Sequence, residues 1–412
     1  MKILCVFGEH NYGDPTRGQG YEYSNFIPAF RRLGHEVVFF ESLNKEMYAS
    51  FADLNYRFLI TVEKERPDII FCVLMGYELW LESLELVRKS CESVLINWAT
   101  DDSWKYEQFS RFMAASFHAY ATTYSEAFSR AHQDNRKNVI LTQWAANAER
   151  LTEPLPAARC RYSVSFVGSA YGNRSKWIDA LRKYGIEVIC FGHGWENGPV
   201  AAEEIPCIIR ESVISLNFGD SGLVMNGLLP RRSRQIKARV FEVPGAGGFL
   251  MTEHAEDLEK FYLPGREVVL FESINDLASK IRFFLANPDE RNRVAWAGHL
   301  RTRREHTYDL RFKQLLKDAS QLGAMRTGET DLEKSDCHIN FGKFAALERA
   351  HRAGYFLRIL KILLHVPCTV IWGRQRGPRA ARRLFFELSW RILGKKTYTA
   401  SGWPGRIFYR ES

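Results

Sequence analysis

The chain is predicted to be an α/β protein with two facing Rossmann-like domains, and three observations lead there. Short β-branched or aromatic runs alternate with longer helical patterns from the first residue to about Thr142. The alternation then pauses at Pro154 and Pro156 and starts again. The length of 412 residues also suits two domains and something extra, at roughly 150 residues per domain. Strands separated by helices of 10 to 20 residues imply right-handed crossovers and therefore parallel sheets.

In the first half, strands are expected at Ile3 to Phe7, Val37 to Phe40, Asp68 to Leu74, Val94 to Trp98, His118 to Thr122 and Val139 to Thr142. A helix is expected at Ser24 to Leu33, where Gly34 stands at the position of a C-terminal cap. In the second half, strands are expected at Tyr162 to Val167, Glu187 to Phe191, Val213 to Phe218, Phe249 to Thr252 and Val268 to Phe271. Helices are expected there at Lys176 to Tyr184, Gln235 to Glu242, Ala255 to Phe261 and Ile274 to Leu285. The domains are accordingly placed at residues 1–155 and 156–318, followed by a polar linker at 319–340 and a basic amphipathic extension at 341–412.

With 46% hydrophobic and 25% charged residues, a disordered chain, a collagen-like repeat and a disulfide miniprotein are excluded. The net charge of +9 is unevenly spread. Residues 351–412 hold 13 Lys+Arg against two Asp+Glu, so the rest of the chain has 44 basic and 46 acidic side chains. The eight cysteines show no C-x-x-C spacing and several lie in apolar runs, so free thiols in a reducing compartment are expected. After Lys2 only five apolar residues precede Gly8-Glu9-His10, a first strand in pattern and too short for a secretory signal. A cytoplasmic location follows as the expectation.

Four loops have the residue types for chemistry, since ligands of open α/β sheets sit beyond the carboxyl ends of the strands. The first, Gly8 to Gly20, offers Tyr12, Arg17, Gly18 and Gly20 as acceptor-side contacts, with a plain surface loop as the alternative. It fails as a dinucleotide fingerprint, because the third glycine would fall at residue 23, a tyrosine. The second carries Asp101 and Asp102. Adjacent carboxylates repel, which raises one of them toward use as a base or hydroxyl holder, and an N-terminal helix cap is the alternative reading.

The third loop begins at Gly168 and reaches Arg174 and Lys176, basic residues suited to offsetting a diphosphate. The fourth, Gln235 to Gly248, combines Lys237, Arg239 and Glu242 with Gly245, Gly247 and Gly248. A carboxylate there can accept both hydroxyls of a ribose; packing of a Gly-rich turn is the alternative. His306 is expected to be structural.

The sequence resembles the CgeB-like glycosyltransferases, named for a spore-maturation protein, within the group-1 glycosyltransferases of GT-B fold. The resemblance lies in Lys237-Ala238-Arg239-Val240-Phe241-Glu242-Val243-Pro244-Gly245-Ala246-Gly247-Gly248, in Gly265-Arg266-Glu267-Val268 and in Glu305-His306-Thr307-Tyr308. Asn11-Tyr12-Gly13-Asp14-Pro15 and Gly34-His35-Glu36-Val37 are similar to the family's opening. It implies transfer of a sugar, with retention, from a nucleotide-sugar donor held by the second domain. It implies no metal and no cofactor beyond that co-substrate; the expected acceptor is a glycan, lipid-linked or other cell-surface molecule. Related enzymes carry paired glutamates at the donor. Glu242 matches the second, and an arginine, Arg234, stands where the first would fall. A nucleotide-sugar epimerase of similar fold and a non-catalytic, membrane-peripheral binding protein are the competing readings.

No nucleic-acid module accompanies the basic extension, so no nucleic-acid partner is expected. Its Arg and Lys residues alternate with Phe, Leu, Ile and Trp from Arg352 to Lys396. That pattern suits peripheral attachment to an anionic membrane surface at the inner face of the cell membrane. Packing on the catalytic body is the alternative. A transmembrane span at Tyr355 to Gly373 is not expected, because Arg358, Lys361 and His365 interrupt it and Pro367 would kink it.

Overall fold

The computed structural model describes residues 1–226, 229–327 and 337–411. By their contacts they form two compact units. Unit 1 comprises Met1–Thr122, Phe128–Ile140 and Leu316–Ser412; unit 2 comprises Thr123–Ala127 and Leu141–Leu315.

Unit 1 is built on a six-stranded sheet in the order β2-β1-β3-β4-β5-β6. The strands are β1 (Lys2–Phe7), β2 (Glu36–Glu41), β3 (Ile69–Cys72), β4 (Val94–Ala99), β5 (Ala119–Thr122) and β6 (Val139–Leu141), the last ending at the unit's edge. Pairings such as Ile3↔Ile69 and Ile96↔Ala119 are parallel. Ile3 to Phe7 is a continuous apolar run because a central parallel strand is covered on both faces. The flanking helices start where the sequence caps them, as at Ser50, whose side chain accepts from the Asp53 amide at 3.2 Å before the helix Phe51–Glu65. The chain leaves β1 in one direction and β3 in the other, so the crevice of this sheet lies beyond the carboxyl ends of β1 and β3.

Unit 2 has a five-stranded sheet in the order β13-β12-β9-β7-β8. Its strands are β7 (Tyr162–Val167), β8 (Ile189–Phe191), β9 (Ser212–Asn217), β12 (Leu250–Glu253) and β13 (Val269–Phe271). Here the order reverses between β7 and β9, which places the crevice at the loops following those two strands. Between β9 and β12 runs an antiparallel pair, β10 (Asp220–Asn226) with β11 (Leu229–Arg234). The sequence does not announce this pair, whose Gly, Asn, Pro and Arg residues break the apolar alternation of a strand. The expected helix at Gln235 to Glu242 begins later, as Arg239–Gly245. That expected at Ala255 to Phe261 is one 3₁₀ turn, Leu258–Lys260.

Two expectations need adjustment. Cys91 and Cys337 are joined in a disulfide, which corrects the expectation of eight free thiols. The fold brings residues 246 positions apart to a Cα separation of 4.4 Å, a proximity that no sequence spacing announces. The helix Tyr308–Thr327 also occupies the first part of the expected linker, and residues 328–336 lie outside the described residues.

The C-terminal segment belongs to unit 1. His351 Nδ1 and the Ala400 carbonyl are 3.0 Å apart, the Ala400 amide donates to Glu82 at 3.1 Å, and Tyr409 donates to the Lys45 carbonyl at 2.9 Å. Trp80 stacks on Phe344 with ring centroids 5.8 Å apart.

In unit 2 a single buried cation ties the sheet to its flank. Arg291, 0% exposed, donates to the carbonyls of Val213 at 2.7 Å, Leu155 at 2.7 Å and Ser212 at 2.8 Å. Each buried carbonyl left without a donor costs about 1–3 kcal/mol. Arg291→Met is therefore expected to lower unfolding stability by about 3 kcal/mol or more in a urea titration, and a loss under about 1 kcal/mol would show that these bonds carry little.

Candidate active site

In unit 2 the loop after β7 leads into the helix Arg174–Lys183. Gly172 has φ +68°, and a Cβ there would lie 3.2 Å from Asp220 Oδ2, so the loop after β7 closes against the residue that follows β9. Arg174 is buried. Its guanidinium donates to the Ser169 carbonyl at 2.9 Å and to Tyr171 Oη at 3.0 Å, and lies 3.9 Å from the centroid of the Tyr171 ring. Its Nε–H is buried with no partner. Burial holds its pKa below the usual guanidinium value, and the charge of Arg239 acts in the same direction while Asp220 opposes it.

Arg239 opens the helix Arg239–Gly245 and pairs with Glu242 at 3.5 Å. One of its donors, Nη1, is also buried without a partner. Two guanidiniums from separate loops thus sit within electrostatic reach of each other, each with an unused buried donor. A diphosphate matches that arrangement: it offers acceptor oxygens to both and cancels their repulsion. The N-terminus of the helix Arg174–Lys183 adds a favourable dipole.

The other expected donor-side residues take different places. Lys176 is exposed, two residues along the helix from Arg174 and so on a different face. Lys237 is half-buried just before the second helix. Gly168 follows β7, and its carbonyl accepts from Trp195 Nε1 at 2.6 Å. Gly245, Gly247 and Gly248 are packing positions. A Cβ at Gly247, where φ is +77°, would meet the Thr152 carbonyl oxygen at 2.5 Å; at Gly245 it would meet Ala146 Cβ at 2.8 Å and at Gly248 Ile209 Cγ2 at 2.5 Å.

Sequence reasoning missed Glu253 at the end of β12. This carboxylate is buried, accepts from the Gly219 amide at 3.0 Å and pairs with Arg234 Nε at 2.9 Å. Gln235 beside it has a buried Oε1 without a partner. Arg234 ends β11, which pairs with β10 outside the five-stranded sheet, so this ion pair links that ribbon to β12. The sheet order, which places β12 beside β9, brings Glu253 to the Gly219 amide.

In unit 1, Asp101 and Asp102 follow β4. Asp102 is 3% exposed and accepts from Ser110, to whose hydroxyl Tyr120 donates at 2.8 Å. Burial raises its pKa, and the hydrogen bonds from Ser110 and Thr122 oppose that rise. Asp101 is half-exposed, 3.8 Å from Lys105. Lys105 Nζ also reaches Met75 Sδ, beyond β3, at 3.9 Å. Glu22, in the first turn of the helix Tyr21–Arg32, is the carboxylate that sequence reasoning overlooked. Desolvation pushes its pKa up, and so does the charge of Asp101, against Lys105. Glu22, Asp101 and Lys105 therefore form one electrostatic cluster at the carboxyl edge of the sheet.

The Gly8–Gly20 loop closes on itself. His10 bridges Gln19, Asn11 Nδ2 donates to the carbonyls of Arg17 at 3.1 Å and Gln19 at 2.9 Å, and the Asn11 amide donates to that of Gly18 at 3.1 Å. The Gly20 amide donates to the Glu9 carbonyl at 2.7 Å. Arg17 pairs with Asp14 at 3.0 Å and lies 5.5 Å from the centroid of the Tyr12 ring, which is 79% exposed. No group of three or more His, Cys, Asp or Glu residues among the described residues is arranged to hold a metal ion.

Residues 174–317 match the family model described as glycosyl transferase-like. Among solved structures, a sucrose-phosphate synthase from Thermosynechococcus elongatus aligns with a TM-score of 0.57 at 12% identity, covering 79% of this chain and 100% of that one. Anabaena Alr3699/HepE, solved in complex with UDP, aligns with a TM-score of 0.52 at 12% identity, covering 78% and 100%. A glycosyltransferase from Rickettsia africae aligns with a TM-score of 0.53 at 11% identity, covering 78% and 98%. The fold is GT-B. No curated protein matches the chain. The matched segment contains Arg174, Arg239, Glu242 and Glu253.

His306, in the same GT-B unit, is a packing residue. Phe241, Phe261 and Tyr262 surround it at centroid distances of 5.4, 5.8 and 5.1 Å, and Nε2 lies 2.8 Å from the Phe261 carbonyl. Burial pushes its pKa down to about 4. The unfolded chain, with an ordinary histidine, takes up a proton first as pH falls, so folding stability declines from about pH 6.5 down to about pH 4. His306→Phe is expected to remove up to about 3 kcal/mol of the stability lost between pH 7 and pH 4, as measured by urea unfolding at several pH values. Parallel pH profiles for the two proteins would contradict this.

Proposed function

We propose that this chain is a CgeB-like glycosyltransferase that moves a sugar from a nucleotide-sugar donor to a glycan or lipid-linked acceptor, with retention of configuration. The observation that carries the reading is the pair Arg174 and Arg239, each with one buried, unused donor that a diphosphate would satisfy. The match of residues 174–317 and the UDP complex of a structural neighbour support it.

In the reaction the bond between the anomeric carbon and the diphosphate oxygen breaks, and the acceptor oxygen bonds to that carbon as its proton departs. Negative charge grows on the leaving diphosphate, where preorganised donors contribute most to catalysis. Arg174 and Arg239 hold that group and Glu242 accepts from the ribose hydroxyls. The Glu253–Arg234 pair faces the sugar. On the acceptor side, Asp101 and Glu22 hold the reacting hydroxyl, while Asp102 supports the loop from within the core. The reaction runs in the cytoplasm.

Incubation with a panel of nucleotide sugars, scored for binding and for nucleotide release, tests this reading. One donor is expected to bind and to release nucleotide slowly by hydrolysis. Arg174→Ala and Arg239→Ala are each expected to weaken binding of the matching nucleoside diphosphate about tenfold or more, since a charged hydrogen bond contributes about 1.5–3 kcal/mol. Sugar interconversion without an acceptor would point to an epimerase, binding without release to a non-catalytic protein, and no binding at all would sink the proposal.

A further inference from the structure

The basic C-terminal segment contains a helical stretch, Tyr355–Leu393, that is broken at Gly373, where φ is +76° and ψ is 169°. The break folds it into a hairpin. Gly377 of the second arm lies so close to the first that a Cβ there would meet Thr369 Cα at 2.4 Å. Leu357, Leu360, Leu364 and Cys368 recur at helical spacing on the first arm and pack against Ala381, Phe385, Trp403, Ile407 and Phe408.

The first arm has a second apolar stripe, which is left open by the described residues. Phe356, Ile359, Ile362, Val366 and Val370 follow one another at intervals of three and four, all exposed, Val370 by 80%. Ile371 and the aromatic Trp372 end the stripe at the turn, and Leu384, Leu388 and Ile392 form a shorter open stripe on the second arm. The same 39 residues carry eight Lys+Arg and a single acidic residue, Glu387. At the foot of the first arm, a pocket of about 450 Å³ is lined by His351, Arg352, Arg358, Lys361 and Arg406 among others.

We propose that this hairpin is a monotopic docking element for an anionic phospholipid bilayer, lying along the interface with the open stripe of the first arm in the acyl region. Its positive charge selects the occupant: a second copy of the chain would bring the same charge to the contact, whereas anionic headgroups complement it. The orientation follows from where the arginines stand. The first arm, at about 1.5 Å per residue, is just long enough to cross the hydrocarbon core and passes a hydropathy test for a span. Crossing would carry Arg374 and Arg376 through the bilayer and draw Arg379, Arg382 and Arg383 into hydrocarbon on the return arm, a strongly unfavourable placement. Lying flat, the arginine and lysine side chains reach the headgroups from both ends of the hairpin, and Trp372 sits at the depth aromatic residues favour. The pocket at the foot, which Glu348 also lines, then faces the headgroup layer, where the exposed Arg352 and Arg358 meet lipid phosphate, while Lys361 stays paired with Glu411.

Flotation of the full chain with vesicles provides the test. Strong binding is expected to vesicles of equal parts phosphatidylcholine and phosphatidylglycerol, falling several-fold on phosphatidylcholine alone and with added salt. Ile362→Glu combined with Val366→Glu is expected to reduce partitioning at least tenfold while leaving the melting temperature unchanged, since both residues are exposed. Arg376→Ser with Arg379→Ser is expected to erase most of the preference for anionic vesicles. Alkaline carbonate is expected to release the bound protein. Equal flotation of the wild type and the Ile362→Glu, Val366→Glu variant would overturn the proposal. So would retention in carbonate, which marks a crossing hairpin, or a vesicle-independent dimer that the same double variant dissociates.

Discussion

Two positive charges held close together inside unit 2 govern the account. Arg174 arrives from the loop after β7 and Arg239 from the start of the helix before β12, and each raises the cost of keeping the other charged. The unit tolerates this because its other contacts fix both loops. Tyr171 covers one guanidinium and Glu242 partly offsets the other, while Gly172 packs the loop after β7 against Asp220 at the start of β10. Two guanidiniums that each keep a buried, unused donor suit a ligand that brings negative charge and several acceptor oxygens. Such a site does not reorganise when charge develops on that ligand, and this is the condition under which electrostatic catalysis is effective.

Sheet topology places this site and the carboxylate cluster of unit 1. In both units a reversal of strand order opens a crevice at the carboxyl edge, between β7 and β9 in unit 2 and between β1 and β3 in unit 1. Glu22, Asp101 and Lys105 gather at the second of these. Two carboxylates beside one cation give this cluster the opposite charge balance to the arginine pair of unit 2. The C-terminal hairpin adds a third element of unit 1, anchored on one stripe by an apolar cluster and open on another.

The strands were legible because each is a short run of β-branched or aromatic residues between turn signals, and β7 spans the residues that the pattern marks, Tyr162–Val167. The β10–β11 pair was not, since its composition lacks that alternation and only pairing with itself makes it a ribbon. Arg174 and Arg239 stand out in sequence as basic residues in Gly-containing loops, but their mutual electrostatic reach depends on the fold. Lys176 looks equivalent to Arg174 until the helix turns it outward. The glycines of Gly245 to Gly248 resemble a phosphate loop, and the contacts at 2.5–2.8 Å awaiting any added Cβ show that crossing segments of chain occupy the space beside them. Glu22 and Glu253 carry no local signal at all; one needed the neighbouring strand ends and the other the sheet order. The same holds for the Cys91–Cys337 disulfide.

Calorimetric titration of the intact protein with a nucleoside diphosphate, its monophosphate and the bare nucleoside, all of one base, tests the central claim that the arginine pair is a diphosphate site. Affinity is expected to fall at least tenfold from diphosphate to monophosphate and again to the nucleoside, and the diphosphate's affinity to decline with added salt. Equal affinity for the three, unaffected by salt, would contradict it.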